Sequence, residues 1–172
     1  EVKAVSGNLT VNASGKTLTV TGDVNGKVAL NDGTVVVNGN IKDLAGTTSV
    51  ASKSLTMKGD ITEAVTLSAS LLGNTEFTGK VSKDVTMPAS GAVKVTFSGT
   101  VNTDNVKFDA ANTSALVKFT GDGIELGSTV VYATNSGAKI SNVSDITGAN
   151  NGFKYDASAV TDGPVAGWKA QP

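Results

Sequence analysis

A short stretch of alternating apolar and polar residues, closed by a glycine, recurs about every twenty residues along this chain. It reads Leu18-Thr-Val-Thr-Gly22, Val35-Val-Val-Asn-Gly39, Leu55-Thr-Met-Lys-Gly59, Thr75-Glu-Phe-Thr-Gly79, Val95-Thr-Phe-Ser-Gly99 and Val117-Lys-Phe-Thr-Gly121. Successive glycines lie 17, 20, 20, 20 and 22 residues apart. A period of this length restricts the chain to folds made of one repeated unit, each copy burying its apolar face on the next. Degenerate copies are expected at Gly7-Asn-Leu-Thr-Val11 and at Ala138-Lys-Ile-Ser-Asn142.

Alternation with period two means a strand with one buried face. Two positions before the glycine stand Val20, Val37, Met57, Phe77, Phe97 and Phe119; four before it stand Leu18, Val35, Leu55, Thr75, Val95 and Val117. The intervening row, Thr19, Val36, Thr56, Glu76, Thr96 and Lys118, is mostly polar and should face outward. The glycine suits a corner that needs positive φ or close backbone approach. A second short alternation follows at Val28/Leu30, Val65/Leu67, Val85/Met87 and Val106/Phe108, so each coil should hold two strands and a looser third side. The predicted fold is all-β: a parallel β-solenoid (β-helix) of about seven or eight coils, with like residues stacked about 4.8 Å apart in a rod of roughly 35 Å. The competing arrangement is an antiparallel β-sandwich, whose strands also recur between frequent turns. The inward row grows from Val20 to Phe119, so the rod should taper and its two ends should differ. The repeat covers residues 1–147. From 148 to 172 it fails; Gly148-Ala-Asn-Asn-Gly152 is a turn cluster, and Phe153, Tyr155 and Trp168 follow with Pro164 and Pro172. This tail is expected to cap the last coil or to dock on another subunit, because an open solenoid end exposes strand edges.

The residue types exclude much chemistry. The 172-residue chain has no histidine, cysteine or arginine, and its 14 basic residues are all lysine. The usual neutral-pH base, the thiolate nucleophile and the bidentate guanidinium fork are therefore missing. A net charge of −1 gives no field to attract nucleic acid. No run of eighteen apolar residues crosses a membrane. Thr, Ser, Asn, Gly, Val and Ala dominate, the mixture of a secreted or cell-surface β protein. A secreted chain is expected to have lost a signal peptide ahead of Glu1.

Asp23, Asp60 and Asp122 share the position after the marker glycine, with Asn40 between the first two. Two coils would separate Asp23 and Asp60 by about 9–10 Å, loosely a glycosidase spacing. Asp and Asn in corners are more simply turn formers. Structural calcium could draw on Asp23, Asn25, Asp32, Asp43, Asp104 or Asn105, yet none forms a recognised calcium loop. Sequons at Asn8, Asn12, Asn112 and Asn142 are about as many as this composition gives by chance, and the broken threonine row is a poor lattice for ice. The expectation is a non-enzyme without catalytic, cofactor-binding or metal-binding residues.

The repeat style of residues 5–147, typified by Gly7-Asn-Leu-Thr-Val-Asn-Ala-Ser-Gly-Lys-Thr-Leu-Thr-Val-Thr-Gly22, resembles the right-handed β-helices of secreted adhesins such as filamentous haemagglutinin and autotransporter passengers. Leu18 to Ile41 also resembles bactofilins, which polymerise end to end. Both resemblances imply scaffold or adhesion work and carry over no catalytic residue. The expected function is a secreted structural protein that self-assembles head to tail into a filament, fibre or surface layer, through Val2–Val11 and the tail. The rival readings are an adhesin module that binds glycan or a host surface, which needs exposed aromatics such as Tyr132, Tyr155 or Trp168, and a polysaccharide-processing β-helix enzyme.

Overall fold

The structure is a computed structural model and describes residues 1–102, 105–107, 115–119, 124–125, 139–140, 153–156 and 167–170. In chain order its strands are β1 (Leu9–Val20), β2 (Val28–Val37), β3 (Thr48–Ser49), β4 (Ser54–Met57) and β5 (Val65–Thr66). They continue with β6 (Asn74–Phe77), β7 (Val85–Thr86), β8 (Lys94–Phe97), β9 (Val101–Asn102) and β10 (Val106–Lys107). The remaining strands are β11 (Leu116–Phe119), β12 (Ile124–Glu125), β13 (Lys139–Ile140), β14 (Phe153–Asp156) and β15 (Gly167–Ala170).

The chain winds as a parallel β-solenoid of about five described turns. Its main sheet runs β1-β2-β4-β6-β8-β11-β13, with β3 beside β2, and every pairing in it is parallel. That excludes the sandwich. A second side stacks β5, β7 and β10. The third side is thinner: single bridges join Val5 to Val24 and Val24 to Ile41, then Ile61 to Val81 and Val81 to Val101. Five turns at about 4.8 Å rise span roughly 24 Å, and β11 and β13 carry the ladder farther.

The marker rows stack as the alternation requires. Val20 pairs with Val37, Val37 with Met57, Met57 with Phe77, Phe77 with Phe97, and Phe97 with Phe119. Val20, Val37, Met57 and Phe97 are fully buried, and each such side chain contributes roughly 1.5–3 kcal/mol of hydrophobic stabilisation. The repeat places identical neighbours at identical positions, so one apolar pattern builds a continuous core.

The 17-residue spacing has a local cause. Partners in β1 and β2 are offset by 20 residues at Asn12/Asp32 but by 17 at Thr17/Thr34. Three extra residues therefore bulge from β1 between Asn12 and Thr17, with Gly15 at φ 64°. In the first two coils the second alternation and the marker strand run together as one long strand, β1 and β2. The row expected to join Val28 and Leu30 to Val65 and Leu67 is not formed: Leu30 pairs with Ser49, and Ser49 with Leu71, while Val65 stacks on Val85. The copy expected at Gly7–Val11 lies outside the marker row, because Leu9 and Val11 pair with Val28 and Leu30. The place below Val20 belongs to Val2. The last degenerate copy pairs with the marker strand but two residues out of the expected register: Ile140 lies beside Val117, where the copy as read puts it beside Phe119.

In the tail, β14 and β15 pair antiparallel, with Tyr155 opposite Trp168. The side chains of Phe153, Tyr155 and Trp168, and residues Asp104, Asn112, Asp122, Tyr132, Asn142 and Gly148, lie outside what is described.

Candidate functional site

The marker glycines exist for space. None of those described has a positive φ. A Cβ on Gly59 would lie 2.7 Å from the carbonyl carbon and oxygen of Gly39 in the coil before. Each corner thus rests directly on the last, backbone against backbone, and a side chain at this position would wedge the coils apart.

Where the next residue is Asp23, Asn40 or Asp60, its side chain ties the coils together. Asp23 Oδ1 accepts the Asn40 N–H at 2.8 Å, and Asp60 Oδ1 accepts the Lys80 N–H at 2.8 Å. Between them, Asn40 Nδ2 donates to the Asp60 carbonyl at 3.1 Å. Asn8 does the same at a different corner of the coil, where Gly26 lies over Gly7: its Oδ1 accepts the Lys27 N–H at 3.1 Å. The Asn40 N–H bond holds the Asp23 carboxyl below its usual range; Lys42, 3.4 Å away, adds to this, while partial burial opposes it. An ionised, hydrogen-bonded carboxylate is a poor general acid. The spacing that suggested a glycosidase pair therefore joins two structural groups with Asn40 between them.

Two of the other proposed cation ligands, Asp43 and Asp32, are similarly engaged. Asp43 Oδ1 accepts the Gly46 N–H at 2.7 Å, and its carbonyl accepts the Thr47 hydroxyl at 2.7 Å, closing a turn. Asp32 pairs with Lys53 and accepts the Gly33 N–H at 2.8 Å. Lys53 first, then the Ser14 hydroxyl and Gly33, hold its carboxyl below the usual range. This strap joins the first three coils. Among the described residues no group of three or more acidic side chains is placed to hold a metal ion. A cleft of about 110 Å³ lies between the third and fourth coils, beside Asn40, Lys42, Asp60 and Glu63. Asn40 Oδ1 is buried there without a hydrogen-bond partner.

Residues 1–8 form only part of a coil beneath β1. Val2 bridges to Val20, Val5 to Val24, and the Gly26 N–H donates to Gly7 O at 3.2 Å. Nothing described lies beneath Leu9–Leu18, and β1 ends the main sheet. Leu9 and Leu18 are only partly buried, whereas Val28 and Val35, stacked directly on them, are fully buried. The segment expected to form a joint, Val2–Val11, spans this layer and the start of β1.

The architecture is that of a parallel β-solenoid. Compared with protein-family models, with curated proteins and with solved structures, the chain matches none. Among the described residues no helix is long and apolar enough to cross a membrane.

Proposed function

We propose that this chain is a non-catalytic structural subunit that works outside the cell and assembles end to end into a filament, fibre or layer. The observation that carries the reading is the parallel ladder of the main sheet, in which each inward position rests on the like position of the coil before it. A ladder of this kind can be extended by a further strand of the same direction and spacing. The corner carboxylates support the reading by being committed to coil-to-coil bonds rather than to a pocket. All described coils run parallel, so end-to-end growth preserves strand direction and produces an open, head-to-tail assembly.

Electron microscopy of the purified protein tests this, with and without calcium. Rods longer than one subunit support it; dispersed monomers at high concentration under both conditions overturn it.

A further inference from the structure

We propose that Asn38–Gly39, and with it Asn25–Gly26, is a site of spontaneous deamidation that the stacked corners hold shut, so that conversion at either pair records the opening of that corner. The inference stands apart from the assembly reading above.

An asparagine followed by glycine is open to attack by the glycine nitrogen, because no side chain shields that nitrogen. The nitrogen bonds to the asparagine Cγ, the Cγ–Nδ2 bond breaks, and the glycine amide proton leaves with Nδ2 as ammonia. Water then opens the cyclic imide at either carbonyl. One opening gives aspartate; the other gives isoaspartate, whose backbone runs through the side chain and is one carbon longer. Water is the only co-reactant. Among the described residues the pair occurs at Asn25–Gly26 and Asn38–Gly39. Both asparagines are exposed, so burial of the side chain protects neither.

The fold commits the attacking nitrogen instead. The Gly39 N–H donates to Gly22 O at 3.3 Å and the Asn38 N–H to Val20 O at 2.8 Å. The Asn40 N–H donates to Asp23 Oδ1 at 2.8 Å, so three successive amides are tied to the coil before. From the coil after, the Gly59 N–H donates to Gly39 O at 3.1 Å. Ring closure requires the Gly39 nitrogen to leave Gly22 and turn onto the Asn38 side chain, which breaks this stitching and leaves its partners unpaired. At the other pair the Gly26 N–H donates to Gly7 O at 3.2 Å and the Asn25 N–H to Val5 O at 2.9 Å. Among the described backbone bonds, those of Asn25 and Gly26 run to the coil before alone.

The isoaspartate product does not fit back. A Cβ on Gly39 would already lie 2.8 Å from the Gly22 carbonyl carbon and 2.9 Å from the Asp23 nitrogen. A corner lengthened by one backbone atom therefore has no room to stack at the coil spacing. The aspartate product changes only an exposed side chain. Opening of the corner is thus recorded in both products and made permanent in the isoaspartate.

Peptide mapping by mass spectrometry tests the proposal on the wild-type chain, aged folded and aged in urea at the same mildly alkaline pH. Reading each peptide separately keeps the two pairs apart from Asn151–Gly152. In urea both pairs should convert. In the folded protein each should convert at least about tenfold more slowly, because the rate follows the open population. The ratio of folded to unfolded rate should be smaller at Asn38, held from both sides, than at Asn25. Asn38→Asp should keep the wild-type melting temperature, as an exposed substitution does, whereas chains refolded with isoaspartate at position 38 should melt lower. Equal rates in the folded protein and in urea overturn the gating, and absence of conversion in urea overturns the site itself. A larger ratio at Asn38 than at Asn25 overturns the two-sided hold, and isoaspartate chains that regain the wild-type melting temperature overturn the permanence.

Discussion

Phe97 stacks on Phe77 one coil below, with ring centroids 5.3 Å apart and planes inclined by 15°. Among the described residues the two rings are the largest fully buried side chains, and they continue a row that starts with Val20 and Val37. At this one inward position the side chains grow from valine to phenylalanine along the rod.

Replacing either ring should be severe. Phe97→Ala and Phe77→Ala are each expected to destabilise by about 3–5 kcal/mol through lost transfer energy and a cavity. A double-mutant cycle read by urea unfolding should show a coupling of about 0.5–1.5 kcal/mol from stacking. Additive losses would mean that the rings contribute by burial alone.

The marker glycines should reject even a methyl group. Gly59→Ala places a Cβ 2.7 Å from Gly39 backbone atoms, and separating the two corners is expected to cost about 1–3 kcal/mol. At Gly7 a methyl group would meet nothing within 4 Å, and the backbone there has no positive φ. Gly7→Ala should therefore leave the melting temperature unchanged or slightly raised.

Thr75 is a polar residue in an apolar row, between Leu55 and Val95. It is 1% exposed, and its hydroxyl has no hydrogen-bond partner. Thr75→Val keeps the shape and removes the unsatisfied group, so it should raise stability by about 1–3 kcal/mol in chemical denaturation. A loss of stability would show that the hydroxyl is engaged in the folded protein.

Acid should loosen the early coils. The Asp23 and Asp32 carboxyls are held below their usual range, Asp23 mainly by the Asn40 N–H and Asp32 mainly by Lys53. A depressed folded-state pKa contributes stability that is fully present above the unfolded value of about 3.9 and is lost as pH falls through the folded value. Melting temperature should hold from neutral pH down to about pH 5 and fall below about pH 4. The double variant Asp23→Asn, Asp32→Asn should show a shallower acid slope.

The ladders were legible in the sequence because a solenoid gives each repeat position one fixed neighbour. Val37, Met57 and Phe77 pair as their alignment requires. What happens at corners and ends was not legible. The bulge after Asn12 appeared only as a short spacing, since the sequence does not say which of two coils carries the insertion. The corner aspartates looked like cation ligands because an Asp that accepts the next coil's N–H has the same sequence signature as one that binds a cation. The half-coil of residues 1–8 escaped notice because Val2 and Val5 lie in it without a marker glycine.

The most direct test of end-to-end assembly is cryo-electron microscopy of the concentrated protein, read across the joint between subunits. Strand density should continue through the joint at the spacing of the coils, about 4.8 Å, with neighbouring subunits pointing the same way. Isolated particles, or rods packed side by side with both ends bare, would contradict the account.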